Sequence, residues 1–421
     1  MANLHYAFLE LNESIRLHAS RKDSLRTSRD AIRDKIRKYF AGRSLGLKPK
    51  FHGQGSFMMN TIIEPISKEF DIDDGIYFIS KDAPTNTIQT FHDWIVDALR
   101  GHTKEDPVDK STCVRLIYKA NYHVDLPVYY VQEGAKPKLA HKAKGWIESD
   151  PREFMSWFSD KCDERGQLRR IVRYLKVWSD FRKGELPAGI IMSILAADNF
   201  VSNPRDDIAL CLTLARIMET LDKSFTCLRP TTPIGEDLLA PFGKTKREYF
   251  LSSLRSLVEA ASFATSDSAS HKDACKQWQS CFGADRFPFE DEEIAEERFR
   301  MDLQFSIDID CIVRQNGFRD KLLSLILRDH SWLLPERELE FHIRTPPPLS
   351  NYEVYWKVRN VGSEAIKRKQ VRGQILPDEG RGSRRERSCF QGKHYVECYI
   401  VQQDVCVARA GIWVPISNKP N

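Results

Sequence analysis

Three acidic side chains stand among apolar residues in the N-terminal third of the chain. Asp71 and Asp73 belong to the string EFDIDDGIYF, and Asp125 belongs to YHVDLPVYY. Residues i and i+2 of a strand point to the same face, so Asp71 and Asp73 can share a ligand, whereas Asp74 points away. Carboxylates in apolar surroundings are costly unless a cation compensates them. The pattern predicts two divalent ions, Mg²⁺ or Mn²⁺, carrying a nucleoside triphosphate.

A glycine-rich turn, Gly53-Gln54-Gly55-Ser56, lies upstream of these acids. Backbone N–H groups in such a turn can approach phosphates closely, and the serine hydroxyl adds a hydrogen bond. Gln54, Gly55 and Ser56 are therefore candidate nucleotide-binding residues. A calcium loop is the rival interpretation of the acidic segment that follows. That segment lacks the later glutamate ligand and is embedded in Phe and Ile, which favours the nucleotide site.

Strands have to position these residues. Apolar residues predict strands over 68–80, 113–119 and 123–130, the last two joined by a turn at Ala120 and Asn121. The third acid would then lie on a strand next to the first two. The three carboxylates can therefore meet at the edge of a mixed sheet.

Helical periodicity dominates outside this sheet. Residues 3–41 predict one or two long helices, and 87–100 predicts an amphipathic helix. The pattern is helical from 151 to about 326, and the strongest case is 168–181. Three prolines at 346–348 cannot continue a helix, and strand-like segments follow them.

These patterns predict an α+β protein with four parts. Residues 1–150 are expected to form a catalytic lobe with a mixed sheet and N-terminal helices. Residues 151–335 are expected to form a helical second lobe that closes over the cleft. A proline-rich linker over 336–350 then leads to a small β-rich domain over 351–421.

Composition narrows the class of protein. The 421 residues carry 64 basic and 59 acidic side chains, a net charge of +5. This excess is too weak for a dedicated nucleic-acid binder, so no stable nucleic-acid partner is expected. No run of roughly 18 apolar residues and no signal-peptide pattern occur, so no membrane association is expected. The ten cysteines are scattered, which indicates reduced thiols in a cytoplasmic protein.

The motif strings also resemble a known family. GQGSF, EFDIDDGIYF and YHVDLPVYY look like the bacterial cGAS/DncV-like nucleotidyltransferases, also called the SMODS family, of the polymerase-beta-like class. LRRIVRYLKVWSDF is similar to that family's helix-rich second lobe, and the resemblance covers about residues 1–325. It implies an enzyme that joins NTPs, ATP among them, into a cyclic di- or trinucleotide second messenger for antiphage (CBASS) signalling. A downstream effector that recognises the product is the implied partner.

The resemblance carries roles for individual residues. Asp71, Asp73 and Asp125 match the family's metal-binding acids, and Lys176 matches a helix lysine that contacts the triphosphate. The family often has small hydroxyl residues shortly after that helix, and the nearest serine here is Ser193. Asp237 is a further candidate for a contact with a base.

A second resemblance concerns the C-terminal part. YEVYWKVRNVGSEA and GKHYVECYIVQQDVCVARA look like the adenylyl/guanylyl-cyclase and SMODS C-terminal sensor domain. That implies a small β-rich module with a nucleotide-related ligand. Trp356, Arg372 and His394 are the side chains to examine there, although a tryptophan on such a strand is more often part of the core.

Two other functions remain open from the sequence. The same acids would serve a synthase of linear oligonucleotides, such as an oligoadenylate synthase, or a tRNA-type nucleotide adder. The lobe could also bind nucleotide without catalysis. The complete set of three acids argues against the last alternative, because a pure binder does not need three carboxylates held together.

Overall fold

The computed structural model describes the whole chain except residues 1, 18, 44–45, 66–69, 119–121, 183–185, 285, 289–291, 316, 330–331, 362–363, 366–367, 369, 379, 381 and 418–421, and the side chains of residues 19, 20 and 393. The predicted turn at Ala120 and Asn121 lies outside the described residues. No helix in the described part is long and apolar enough to span a bilayer. All ten cysteines are free thiols in this structure.

The helices, in chain order, are α1 (His5–Ile15), α2 (Ala19–Ala41), α3 (Gly55–Met58), α4 (Ile88–Leu99), α5 (Pro151–Lys161), α6 (Gln167–Arg182), α7 (Gly189–Asn199), α8 (Asp206–Lys223), α9 (Lys244–Ala264), α10 (His271–Phe282), α11 (Ala295–Arg298) and α12 (Leu323–Asp329). The strands are β1 (Pro49–Gln54), β2 (Phe70–Ser80), β3 (Val108–Asp109), β4 (Cys113–Tyr118), β5 (Tyr122–Gln132), β6 (Lys138–His141), β7 (Gly145–Glu148), β8 (Arg300–Met301), β9 (Asp308–Arg314), β10 (Lys321–Leu322), β11 (Glu338–Thr345), β12 (Glu353–Arg359), β13 (Arg372–Pro377), β14 (Ser383–Arg387), β15 (Gly392–Gln402) and β16 (Val405–Ile416).

The chain divides into two compact units. The first unit comprises Met1–His5, Ile15–Ala269 and Ser280–Gly283, and the second comprises Tyr6–Ser14, Ser270–Gln279 and Ala284–Asn421. The second unit therefore combines the C-terminal part of the chain with two short segments, one near the N-terminus and one from the middle of the chain.

The first unit contains a mixed sheet with the strand order β1-β2-β5-β4-β3, to which β6 and then β7 are added beside β5. Strands β2 and β5 run parallel, and the other pairs in this sheet are antiparallel. Apolar residues of α2 and α4, among them Ile32, Ile36, Phe91 and Ile95, share one buried core with the apolar residues of β2, β4 and β5. This core holds the central strands rigid beside the acids.

Local sequence signals account for the positions at which α4 and α5 begin. Thr87 precedes α4, and its hydroxyl accepts a hydrogen bond from the Thr90 N–H at 3.1 Å. Asp150 caps α5 in the same way through the Arg152 N–H at 3.1 Å, and Pro151 occupies the first helical position. Helices α5 to α9 follow in sequence, as the helical periodicity of this part predicted.

The second unit is rich in β structure. One sheet has the strand order β10-β9-β11-β14, and the other has the order β13-β12-β15-β16-β8. Buried side chains of both sheets, among them Phe341 of β11 and Val396 of β15, form one hydrophobic cluster. The α+β class and the β-rich C-terminal part therefore agree with the predictions from the sequence.

Two segments differ from the sequence prediction. Residues 308–314 lie in the part expected to be helical but form β9, because Ile309, Cys311 and Val313 alternate as buried residues at the period of a strand. Most of the expected linker over 336–350 forms β11, which pairs with β9 from Glu338 to Thr345. The three prolines come directly after that strand, where they end it.

Candidate functional site

Strands β2 and β5 bring the three acids together. In their parallel register Asp73 lies opposite Asp125, and Asp71 lies opposite His123. Asp71 and Asp73 both line a cleft of about 640 Å³ in the first unit, together with residues of the glycine-rich turn and of α5, α6 and α7. The alternation of side chains along β2 therefore places Asp71 and Asp73 on the same face of the strand.

Asp74 points to the opposite face of β2, as predicted. It is fully buried, and its two carboxylate oxygens accept hydrogen bonds of 2.8 and 2.5 Å from Nε and Nη2 of Arg33 on α2. A bidentate pair of this kind compensates a buried charge. Asp74 therefore fastens α2 to the sheet and takes no part in the cleft.

Asp73 has the most perturbed carboxyl of the cleft. Burial, followed by repulsion from Asp125 and Asp71, raises its pKa from 3.8 to about 7. Its charge is therefore poorly compensated by the groups around it. A cation placed beside Asp73 would favour the ionised form.

Arg115 of β4 is the main partner that sequence reasoning missed. Its Nε and Nη2 donate hydrogen bonds of 2.6 and 2.7 Å to the two oxygens of Asp125, and Nη2 also lies 3.4 Å from Asp71. His123 Nδ1 lies 3.0 Å from the other oxygen of Asp71. Arg115 stands directly opposite Asp125 in the β4–β5 hairpin, so counting back from the predicted turn could have found it.

The carboxylate oxygens of the three acids are suitable ligands for magnesium. Three carboxylates offer hard oxygen ligands, which Mg²⁺ and Mn²⁺ prefer, and Asp73 carries a charge that needs a cation. Among the described residues no three acidic, histidine or cysteine side chains stand in an arrangement ready to hold a metal ion. The guanidinium of Arg115 donates to both oxygens of Asp125.

The glycine-rich turn lies against the acids. Gly55 has a φ of +71°, which favours glycine, and a Cβ at this position would collide with the Asp73 carboxylate. Ser56 lines the cleft, and its hydroxyl has no partner among the described residues. The Gln54 side chain turns inward, where Nε2 donates to the Tyr129 hydroxyl at 3.2 Å. Gln54 therefore offers its main chain, rather than its side chain, to the cleft.

Lys176, for which the resemblance implied a contact with the triphosphate, lines the cleft from α6. Its Nζ donates to the carbonyl and hydroxyl oxygens of Thr61 at 3.1 and 3.3 Å. Burial and the nearby Arg173 lower the pKa of Lys176 to about 8. Ser179 and Asp180, one turn further along α6, also line the cleft, and their spacing from Lys176 is the signal that could have predicted them.

Two predicted nucleotide contacts lie elsewhere. Ser193 is fully buried in α7, and its hydroxyl donates to the Gly189 carbonyl at 2.8 Å, because a serine within a helix bonds back to the preceding turn. Asp237 accepts hydrogen bonds from the N–H groups of Cys227 and Leu239 at 2.9 and 3.0 Å, so it stabilises its own loop. Neither side chain is among those lining the cleft, whereas Arg229 from the same loop is.

Comparison with known proteins supports this description. Residues 49–129 match the family model "Cyclic GMP-AMP synthase DncV-like, nucleotidyltransferase domain". Residues 289–417 match the model "Adenylyl/Guanylyl and SMODS C-terminal sensor domain". The first match contains the turn and the three acids, and the second contains most of the second unit.

Curated relatives carry the name Cyclic GMP-AMP synthase. The protein from Escherichia coli (strain TW11681) is 28% identical over 190 residues, covering 32% of this chain and 43% of the relative. The protein from Vibrio cholerae serotype O1 (strain ATCC 39315 / El Tor Inaba N16961) is 27% identical over 200 residues with the same coverage. The chain therefore spans less than half the length of these relatives.

Solved structures show the same fold. The Vibrio cholerae DncV cyclic AMP-GMP synthase in complex with nonhydrolyzable GTP aligns with a TM-score of 0.58 and 21% identity, over 69% of this chain and 98% of that one. The same synthase with the linear intermediate 5′ pppA(3′,5′)pG aligns with a TM-score of 0.58 and 20% identity, over 68% and 97%. The chain is therefore similar to the DncV-like nucleotidyltransferases over residues 49–129 and to the Adenylyl/Guanylyl and SMODS C-terminal sensor domains over residues 289–417.

Proposed function

We propose that this protein is a cyclic oligonucleotide synthase. It would join two or three NTPs, ATP among them, into a cyclic second messenger and release pyrophosphate at each step. The observation that carries the proposal is the set of three acids on β2 and β5, with Asp71 and Asp73 beside the glycine-rich turn in one cleft. We propose a cyclic product because the curated relatives carry the name Cyclic GMP-AMP synthase.

The turn and α6 would bind the triphosphate. The hydroxyl of Ser56 and the main chain of Gln54 and Gly55 would donate hydrogen bonds to its phosphate oxygens. Lys176 would place a positive charge on the other side of the cleft, where it balances the phosphates. These groups would hold the α-phosphorus near the acids, and positioning accounts for much of the catalysis in reactions of this class.

The three acids would hold two Mg²⁺ or Mn²⁺ ions. Bound there, the ions would neutralise the triphosphate and lower the pKa of the attacking ribose hydroxyl. Asp125 has to lose its contact with Arg115 before it can accept a proton from that hydroxyl. The hydroxyl oxygen then forms a bond to the α-phosphorus as the bond to the β-phosphate oxygen breaks. A second reaction between the two ends closes the ring.

Product analysis tests this proposal. The purified protein is incubated with labelled NTPs and Mg²⁺ or Mn²⁺, and the products are treated with phosphatase and identified by mass. A phosphatase-resistant species without a terminal phosphate is expected. It should be absent in Asp71→Asn and Asp73→Asn variants, whose folded state is checked by circular dichroism. Resistant product from these variants would contradict the assignment of the acids.

A linear synthase is the second candidate, because the same acids would serve it. A ladder of phosphatase-sensitive products would identify it. We further propose that the cyclic product acts inside the bacterial cytoplasm on a downstream effector, in defence against phages. Loss of protection against phage infection in cells that carry Asp73→Asn would support this role, and unchanged protection would refute it.

A further inference from the structure

The side chain of Gln54 makes a buried contact behind the glycine-rich turn. Gln54 ends β1, lies opposite Asp73 of β2 and is only 7% exposed. Its Nε2 donates to the Tyr129 hydroxyl at 3.2 Å, and its Oε1 accepts from the Tyr77 hydroxyl at 3.5 Å. A buried amide is costly unless its donor and its acceptor are both satisfied. The two tyrosine hydroxyls therefore hold the Gln54 side chain in one orientation.

The two tyrosines form a rigid support for this amide. Their rings are stacked, with the centroids 4.5 Å apart and the planes inclined by 10°, and both side chains are almost fully buried. The Arg152 guanidinium lies over the Tyr77 ring, 5.0 Å from its centroid. Gly75 packs so closely that a Cβ there would lie 2.7 Å from both Oε1 of Gln54 and a ring carbon of Tyr77. Neither ring can therefore move far without displacing its neighbours.

The tyrosines and the acids share the same two strands. Tyr77 lies opposite Tyr129 in the parallel register of β2 and β5, four residues beyond the pair of Asp73 and Asp125. Residues i and i+4 of a strand point to the same face, so the acids and the tyrosine stack lie on one face of the sheet. Burial and then the nearby charge of Asp73 raise the pKa of Tyr129, so its hydroxyl keeps its proton.

The position of the turn depends on Gln54. Gln54, Gly55 and Ser56 are consecutive, and all three line the cleft. Gly55 passes so close to Asp73 that a Cβ would collide with the carboxylate. A displacement of the Gln54 side chain would therefore shift the N–H groups and the serine hydroxyl relative to the acids, and shifts of about 1 Å are large for a binding site of this kind.

We propose that Tyr129 is a positioning residue for the triphosphate. Its hydroxyl fixes Gln54, and Gln54 fixes the main chain of the glycine-rich turn at the distance from the acids that a bound NTP needs. Among the described residues Tyr129 does not line the cleft, so it acts through the turn and does not touch the substrate. This inference rests on the proposed function, because it takes an NTP as the ligand of the turn.

Removal of the single hydroxyl tests this role. Tyr129→Phe keeps the ring and its stack but leaves Nε2 of Gln54 buried without its acceptor. Binding of nonhydrolysable ATP and GTP is measured in Mg²⁺ by fluorescence titration, and circular dichroism checks the folded state. The dissociation constant of the analogue that binds the wild type more tightly should rise at least fivefold in the variant.

Tyr130 provides the matched control on the same strand. Successive residues of a strand point to opposite faces, and the Tyr130 hydroxyl donates to the Asp82 carbonyl at 2.8 Å. Tyr130→Phe removes a hydroxyl from a similarly buried side chain and should change the dissociation constant less than twofold. An equal loss of affinity in both variants would show a general effect of weakened packing and would overturn the proposal.

A double substitution tests whether Tyr129 acts through Gln54. Gln54→Met removes the amide and keeps a side chain of similar length. In that background Tyr129→Phe should change the dissociation constant less than twofold, because the hydrogen bond between the two residues is already absent. A fivefold effect of Tyr129→Phe in both backgrounds would contradict the action through Gln54.

Steady-state kinetics separate substrate positioning from a general loss of active protein. Tyr129→Phe should raise KM for the NTP in parallel with the dissociation constant and change kcat less than twofold, because the turn binds the triphosphate before and during the reaction. A lower kcat with an unchanged KM would refute the role. Equal binding of the analogues by the wild type and Tyr129→Phe would refute this inference alone, whereas a wild type that binds neither analogue would also refute the proposed function.

Discussion

Replacing Asp73 by asparagine should stabilise the metal-free protein. The pKa of Asp73 lies at about 7 in the folded state against 3.8 for an ordinary aspartate, because the carboxyl is buried beside two other acids. At 1.36 kcal/mol per pKa unit, ionised Asp73 lowers the free energy of unfolding by up to about 4 kcal/mol at pH 8. Asparagine has nearly the same shape and no charge. We expect a gain of roughly 2–4 kcal/mol in the variant.

The gain must depend on pH in a defined direction. The folded protein binds the proton of Asp73 more tightly than the unfolded chain does, so the wild type loses stability as the pH rises from about 4 to 7 and no further above 7. The advantage of Asp73→Asn should therefore be full at pH 8 and should shrink as the pH falls to 5. The direction of this pH dependence follows from the raised pKa of Asp73 alone.

Urea denaturation in EDTA at pH 8 and pH 5 measures this effect. Asp71→Asn is the matched control, because the Asp71 side chain is 49% exposed and its replacement should change stability by less than about 0.5 kcal/mol. Adding Mg²⁺ and a nonhydrolysable NTP should stabilise the wild type more than the Asp73→Asn variant. An Asp73→Asn protein that is no more stable than the wild type at pH 8 would refute the reasoning.

Three further predictions follow from individual contacts. Gly55→Ala should reduce product formation at least tenfold and cost roughly 1–2 kcal/mol of stability, because the new Cβ meets the Asp73 carboxylate at a positive φ; turnover and urea denaturation measure both effects. Lys176→Met should weaken NTP binding by roughly tenfold or more at pH 7. Wild-type affinity should decline as the pH rises through about 8, whereas affinity of the variant should stay flat in the same fluorescence titration. Asp74→Asn should lower the free energy of unfolding by about 3 kcal/mol, because Arg33 loses the buried carboxylate that pairs with it through two hydrogen bonds. Turnover per folded molecule should be unchanged, and a folded variant with lower turnover would contradict the structural role given to Asp74.

Local patterns predicted much of the fold and of the cleft. The strand β2, the helix α6 and the shared face of Asp71 and Asp73 follow from the period of the apolar residues, whereas Lys176 was singled out by the family resemblance. These signals are local, because a side chain's face within a helix or strand depends on neighbours only a few residues away.

Other features could not be read from local patterns. The pairing of β11 with β9 and of Arg115 with Asp125, and the inward turn of Gln54, depend on which segments become neighbours in space. Because Ser193 is buried within α7, its hydroxyl donates to the Gly189 carbonyl of the same helix.

The sequence by itself determined that Asp71 and Asp73 share one face of a strand, because the alternation of side chains is a property of the chain. Only the tertiary structure decided how those acids are charged and what compensates them. The pKa of Asp73 depends on burial and on carboxylates from two strands, and Asp125 is neutralised by an arginine from a third strand. A cavity of about 400 Å³ in the second unit likewise exists only where its two sheets meet, since Leu339, Val358 and Val396 line it from segments far apart along the chain.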